Sequence, residues 1–113
     1  MHIQIVNFNL KDLTDAGFRS MANEVAPAFA SVPGLIGKIW LADVGKNTYG
    51  GVYIWQDAAA MRAYLASDLG KGVAGNAHFA NLTSRDFEVL SGPTTSSGGP
   101  VAASLTSTAS LAV

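Results

Sequence analysis

The stretch PGLIGKIWLADVGKNTYGGVYIWQDAAAMRAYL, residues 33–65, decides the fold of this chain. Leu35 to Val44 and Thr48 to Gln56 are rich in β-forming residues and are predicted to be strands. Gly45-Lys46-Asn47 between them is typical of a hairpin turn. Asp57 to Gly70 predicts a helix with a side-chain cap at its start. Its predicted inner face carries Met61, Tyr64, Leu65 and Leu69.

The residues before this stretch predict a strand and a helix. His2 to Leu10 alternates, with Gln4, Val6, Phe8 and Leu10 on one face and Ile3, Ile5, Asn7 and Asn9 on the other. Thr14 can cap the helix that follows, and Pro27 is expected to kink or divide it. Its apolar face carries Phe18, Met21, Val25 and Phe29.

The residues after it predict a last strand and a tail. Lys71 to Ala80 is glycine-rich and indicates a loop or a short helix, and Leu82 to Leu90 predicts the strand. Residues 1–90 are therefore interpreted as one domain. Residues 91–113 lack charge and are rich in Ser, Thr, Gly and Pro, which is typical of a tail or linker. The apolar residues Leu105 and 111–113 could still dock on a partner subunit.

The element order β-α-β-β-α-β predicts an α+β, ferredoxin-like protomer. In this fold a four-stranded antiparallel sheet carries both helices on one face. Each predicted strand has apolar residues on both sides, so the open face would be apolar too. Covering it at about 25 cal/mol per Å² would supply several kcal/mol. We therefore expect a homodimer whose sheets pair face to face.

Composition excludes several classes of protein. The 113 residues are 49% hydrophobic and 13% charged, with a net charge of −1, so no basic surface for nucleic acid is expected. The absence of cysteine excludes disulfides and thiolate chemistry, and two isolated histidines do not form a metal motif. No apolar run reaches the roughly 18 residues of a membrane span, and no leader pattern is visible. A cytoplasmic location without membrane attachment is expected.

Three motifs in the decisive stretch carry a family resemblance. They are PG-x-x-x-K-x-W in residues 33–40, GGVY in residues 50–53, and Tyr64-Leu65 before Ala66. In this order and spacing they resemble the YdhR-like monooxygenases of the dimeric α+β barrel superfamily. Antibiotic-biosynthesis monooxygenases and haem-degrading oxygenases are relatives. The resemblance implies a barrel formed by two protomers and a pocket between each sheet and its helices.

Asn7 is a candidate catalytic residue because an amide on an apolar strand face needs a hydrogen-bond partner. Backbone could satisfy it, or it could orient a substrate carbonyl or bound oxygen. Haem-degrading relatives carry an Asn at this place in the first strand, a Trp on the second helix and a His just after it. Tyr64 lies where that Trp is expected, and His78 lies a few residues beyond the expected His.

The aromatic and basic residues of the strands have two interpretations each. Trp40, Tyr53 and Trp55 either pack in the core or form a flat wall for substrate. Lys38 and Arg85 are either solvated strand residues or groups that stabilise an enolate or phenolate.

Together these features predict a cofactor-independent monooxygenase that acts on a hydrophobic aromatic or polyketide-like molecule. Asn7, Tyr53, Tyr64 and His78 would orient and deprotonate the substrate, and the carbanion would pass an electron to O₂. A non-redox cyclase or isomerase, a non-catalytic binding or stress-response module, and a haem-degrading oxygenase are the alternatives. No cofactor or metal is predicted, although haem and flavin stay open.

Overall fold

A four-stranded antiparallel sheet with helices packed on one face forms the structure, a computed structural model that describes residues 1–100. The strands are β1 (His2–Leu10), β2 (Leu35–Asp43), β3 (Thr48–Trp55) and β4 (Phe79–Glu88), in the sheet order β2-β3-β1-β4. The helices are α1 (Asp15–Ala30), α2 (Ala58–Ala66), α3 (Asp68–Ala74) and α4 (Ser91–Ser96). The predicted ferredoxin-like α+β fold is confirmed.

The β2–β3 hairpin forms where the sequence predicts it and places Lys38 opposite Tyr53 and Trp40 opposite Gly51. Its turn ends at Asn47, whose positive φ of 48° is one that asparagine tolerates. The Asn47 side chain also ties the turn to the end of β1. Its Oδ1 accepts from the Leu10 N–H at 3.2 Å, and its Nδ2 donates to the Leu10 carbonyl at 3.0 Å.

Helix α1 begins at its predicted cap, where Thr14 Oγ1 accepts from the Gly17 N–H at 3.0 Å. The helix then continues through Pro27 to Ala30, so the predicted division of the helix is wrong. Proline removes one backbone hydrogen bond from the helix interior. Phe18 and Phe29 are both buried in the same core, one on each side of Pro27, and this packing holds the helix together.

The helical segment after β3 is broken at Ser67, which the sequence did not predict. Ser67 has extended backbone angles, ends α2, and accepts from the Gly70 N–H at 3.2 Å as the cap of α3. The residues predicted to form one helix, followed by a loop or a short helix, therefore form two helices that meet at Ser67. Leu65, predicted to face inward, is 42% exposed. β4 begins at Phe79, three residues before the predicted start.

The two faces of the sheet differ in what covers them. Gln4, Val6 and Phe8 of β1 are buried on the face that carries the helices. The opposite face is left open, and Ile39 and Phe87 on it are 55% and 47% exposed. The strand register places apolar residues of neighbouring strands side by side on this face, in rows that run across the sheet. One row contains Ile39, Val52 and Ile5, and the next contains Ile54, Ile3 and Phe87.

The end of the described chain includes the short helix α4, which lies in the segment predicted to be a tail. The boundary at residue 90 stays a prediction. The suggested docking of Leu105 and residues 111–113 lies outside the described residues. Within residues 1–100, no helix combines the length and the apolar character needed to cross a bilayer.

Candidate functional site

A cavity of about 230 Å³ lies between the helix-bearing face of the sheet, α1 and α3. Its walls are mainly apolar, with Lys38, Asp68 and Asn76 as the charged or amide-bearing side chains among the described residues. The other lining residues are Val6, Phe8, Phe18, Met21, Val25, Phe29, Trp40, Gly50, Gly51, Tyr53, Leu69, Gly72, Val73 and Phe79. A small apolar pocket with few polar groups is the typical form of a small-molecule site.

Lys38 is placed in this cavity by the alternation of β2, which directs Lys38 and Trp40 to the same side. Its Nζ lies 3.5 Å from the ring centroid of Trp40, 3.6 Å from that of Phe29 and 4.6 Å from that of Tyr53. Among residues 1–100, no carboxylate lies within the 4.0 Å of an ion pair with it.

The surroundings of Lys38 change its acid–base behaviour. Burial disfavours the charged form and lowers the pKa of Lys38 from 10.5 to about 7. The aromatic faces attract the ammonium form and limit how far the pKa falls. Both the amine and the ammonium are therefore available near neutral pH. Such a lysine can accept a proton, bind an anion or act as a nucleophile.

Trp40 and Tyr53 are both brought to the cavity, as the wall hypothesis requires. Trp40 packs edge-on against Phe29, with ring centroids 5.5 Å apart and an interplanar angle of 88°. This contact fixes the indole between β2 and α1, because edge-to-face pairs are a favoured aromatic geometry. The result is a set of steeply inclined aromatic rings around the amine of Lys38, which lies over the face of Trp40.

Tyr53 links the cavity to Tyr64 on α2. The two hydroxyl oxygens lie 3.4 Å apart in the interior, and the ring centroids lie 5.5 Å apart. Burial is the main cause that raises the pKa of both tyrosines, so both stay protonated at neutral pH. They are hydrogen-bond donors and not bases. Tyr64 does not line the cavity and reaches it through Tyr53.

Trp55 is fully buried and does not line the cavity. Its Nε1 donates to Gln4 Oε1 at 3.0 Å, and Gln4 Nε2 donates to Ser84 Oγ at 2.9 Å. Trp55 therefore packs in the core, which was one of its two interpretations. Gln4 was missed by the sequence reasoning, although a polar residue on the face of Val6 and Phe8 was a visible signal.

Asn7 and Arg85 lie on the open face of the sheet, away from the cavity. Asn7 is opposite Gly50 and Thr83, and the alternation of β1 directs its side chain away from the helices. Arg85 is exposed, and its guanidinium carbon lies 5.7 Å from the Phe87 ring centroid. The structure does not bring either residue together with Lys38, Trp40 and Tyr53.

His78 lies outside the cavity, between α3 and β4. Its Nδ1 lies 2.8 Å from the Lys11 carbonyl oxygen, and the residue is exposed. The other histidine, His2, pairs with Asp86 at 2.6 Å at the far end of β1. Neither histidine lines the cavity, so its residues do not fit a haem held by histidine. Within residues 1–100, no group of three or more possible metal ligands occurs.

Three further residues of the site were not predicted. Asp68 and Asn76 line the cavity because α3, which was assigned in part to a loop, packs over it. Gly51 makes room for Lys38, since a Cβ at this position would lie 3.0 Å from Lys38 Cε. The Gly50-Gly51 pair was visible in the sequence, but the lysine beside it depends on cross-strand register.

The fold and the cavity define a ferredoxin-like α+β protein with a pocket between its sheet and helices. The chain belongs to the family described as "Putative mono-oxygenase ydhR", whose family model matches residues 3–100. No curated protein matches the sequence significantly.

Several solved structures share the fold. SnoaB, a cofactor-independent oxygenase from Streptomyces nogalater, is 23% identical with a TM-score of 0.62, over 78% of this chain and 92% of that chain. The haem-degrader MhuD from Mycobacterium tuberculosis is 20% identical with a TM-score of 0.65, over 80% and 96%. A "putative antibiotic biosynthesis monooxygenase" from Deinococcus radiodurans is 17% identical with a TM-score of 0.65, over 79% and 92%.

Proposed function

We propose that the protein is a homodimeric, cofactor-independent monooxygenase that acts on a hydrophobic aromatic or polyketide-like molecule. The observation that carries this proposal is the position of Lys38, whose amine lies beside aromatic walls in an apolar cavity. Family membership supports the oxygenase assignment. The substrate class is proposed from the walls, which are mainly apolar and aromatic. A cytoplasmic location is part of the proposal.

The proposed reaction begins with proton removal. The neutral amine of Lys38 takes a proton from an acidic carbon next to a substrate carbonyl, and the resulting ammonium stabilises the enolate. Burial, which lowers the Lys38 pKa to about 7, supplies the amine at neutral pH. Tyr53 donates a hydrogen bond to the substrate oxygen. Tyr64 acts as a positioning residue, because its hydroxyl is 3.4 Å from that of Tyr53.

The oxygen step balances without a cofactor. The enolate gives one electron to O₂, and the substrate radical and superoxide combine into a hydroperoxide after protonation. Loss of water then leaves a new carbonyl group on the substrate. Overall, one CH₂ group and one O₂ give one C=O group and one water. The roles predicted for Asn7, His78 and Arg85 remain predictions, since none of the three lines this cavity.

The homodimer is proposed from the open face of the sheet. Ile39 and Phe87 are exposed there and continue into rows with Ile3 and Ile5. Contiguous apolar surface of this kind usually marks an interface in a small protein. Pairing with a second copy would cover it and close the two sheets into a barrel.

The test is oxygen consumption with anthrone, a planar ketone with an acidic CH₂ group. We expect oxygen uptake and formation of the quinone with the native protein, and loss of at least about 100-fold in Lys38→Met. Lys46→Met, which removes an exposed lysine of the hairpin turn, is the matched control. If Lys38→Met turned over anthrone as fast as the native protein, the proposal would be overturned. Product formation that needs no oxygen would favour a cyclase or isomerase instead.

A further inference from the structure

The environment of Lys38 suits a second kind of chemistry that uses the amine as a nucleophile. Its Nζ lies against the faces of Trp40 and Phe29, at 3.5 and 3.6 Å from their centroids, and it opens into the cavity. Among residues 1–100, no carboxylate holds it as a fixed ammonium ion. A lysine that is kept partly neutral in an apolar pocket is activated for attack on carbonyl carbon.

We propose that Lys38 forms an imine with an apolar aldehyde or ketone bound in this cavity. The Nζ lone pair attacks the carbonyl carbon and gives a carbinolamine. That intermediate then loses the carbonyl oxygen as water, taking up the two hydrogens of the neutral amine. No oxidant or cofactor takes part, so the inference extends beyond the oxygenase reaction and does not rest on it.

Three features of the site favour this reaction. Gly51 leaves space for the Lys38 stem, because a Cβ there would lie 3.0 Å from Cε. The backbone of β2 holds the Cα of Lys38, from which the side chain extends, opposite Tyr53 on β3. The aromatic walls favour an apolar carbonyl compound over a sugar or a charged aldehyde. The protonated imine would also gain from the same ring faces that attract the ammonium.

The neutral fraction of the amine gives the expected selectivity. Burial lowers the pKa of Lys38 to about 7, so a large share of its amine is neutral at pH 7, whereas a lysine with the ordinary pKa of 10.5 is neutral in about one molecule in 3,000. Lys46 and Lys71 are exposed and do not line the cavity, so they are internal references within the same chain.

The experiment is reductive trapping with benzaldehyde and cyanoborohydride, without oxygen and at pH 7, followed by peptide mass mapping. We expect Lys38 to be labelled at least about tenfold faster than Lys46 and Lys71. Glyceraldehyde, a polar aldehyde, should show a clearly smaller preference, because the neutral amine favours Lys38 with either aldehyde whereas the apolar walls favour only benzaldehyde. The reactive N-terminal amine of Met1 is resolved in the map and does not enter the comparison.

Two outcomes would overturn the inference. One is benzaldehyde labelling of Lys38 that is no faster than that of Lys46. The other is the same Lys38 preference with glyceraldehyde, which would indicate reactivity without a binding cavity. Because oxygen is absent, failure here leaves the oxygenase proposal standing. Conversely, trapping of benzaldehyde at Lys38 without oxygen consumption with anthrone would support imine formation and contradict the oxygenase proposal.

Discussion

The indole nitrogen of Trp55 donates a hydrogen bond to the side-chain oxygen of Gln4 at 3.0 Å, in a part of the core that solvent does not reach. The bond joins β3 to β1 at the centre of the sheet. Trp55 also stacks parallel to Tyr53, with ring centroids 6.0 Å apart. The buried amide of Gln4 thereby holds Trp55 in place, and Trp55 packs against Tyr53, which lines the cavity.

Replacing Gln4 with methionine should destabilise the protein by about 1–3 kcal/mol, because the buried Trp55 N–H would lose its acceptor. Urea denaturation measures the change. The same substitution in a Trp55→Phe background should cost less, since no N–H is left unpaired. Equal costs in the two backgrounds would show that the hydrogen bond contributes nothing.

Lys38 should make stability depend on pH in a defined window. Its folded pKa of about 7 lies below the ordinary 10.5, so the folded protein holds fewer protons than the unfolded chain between these values. The cost of the buried ammonium is complete below pH 7 and is relieved as pH rises towards 10.5. Stability should therefore increase across the window, with a slope of at most about 1.4 kcal/mol per pH unit.

Lys38→Met removes this titration and is the matched comparison. The difference in unfolding free energy between the native protein and the variant should change with pH. Denaturation curves at several pH values measure this difference. Parallel pH profiles for the native protein and Lys38→Met would contradict the shifted pKa of Lys38.

Gly51→Ala should disturb the site through Lys38. The new Cβ would lie 3.0 Å from Lys38 Cε and 3.3 Å from the Ile39 carbonyl oxygen, so the lysine stem must move. We expect a stability loss of about 1 kcal/mol and a several-fold slower trapping of Lys38 by benzaldehyde. Gly37→Ala is the control, since a Cβ there meets nothing within 4 Å. Equal effects of both substitutions would argue against the close approach.

Phe87→Glu should convert the proposed dimer into a monomer. A carboxylate within a paired apolar surface loses its hydration without gaining a partner. Light scattering after size exclusion gives the mass. Leu65→Glu is the control, because Leu65 is similarly exposed, at 42% against 47%, but lies on α2. A native protein of monomer mass would contradict the dimer itself.

Much of the fold could be read from local sequence signals. The hairpin of residues 35–55 and the caps at Thr14 and Asp57 depend on neighbouring residues only, and all of them form. The break at Ser67 was missed because Ala58 to Leu69 keeps a helical pattern on both sides of it. That serine ends one helix and caps the next through its own backbone and side chain.

The site was predicted less well, for a reason visible in β1. Its two faces, Ile3, Ile5 and Asn7 against Gln4, Val6 and Phe8, each have two apolar residues and one amide. Alternation separates the faces but does not say which one the helices cover. The sequence reasoning selected Asn7, whereas the helices bury Gln4 and leave Asn7 on the open face.

The sequence by itself determined the order of the four strands and the first two helices, the ferredoxin-like class and the aromatic hairpin, because these depend on periodicity, caps and turns between near neighbours. Only the tertiary structure decided which aromatic residues line the cavity and which pack in the core. Trp40 and Trp55 have similar strand contexts, yet α1 and α3 leave a cavity beside Trp40, while Gln4 and α2 enclose Trp55. The same packing places the Lys38 amine against aromatic faces, and this burial lowers the pKa of Lys38 to about 7.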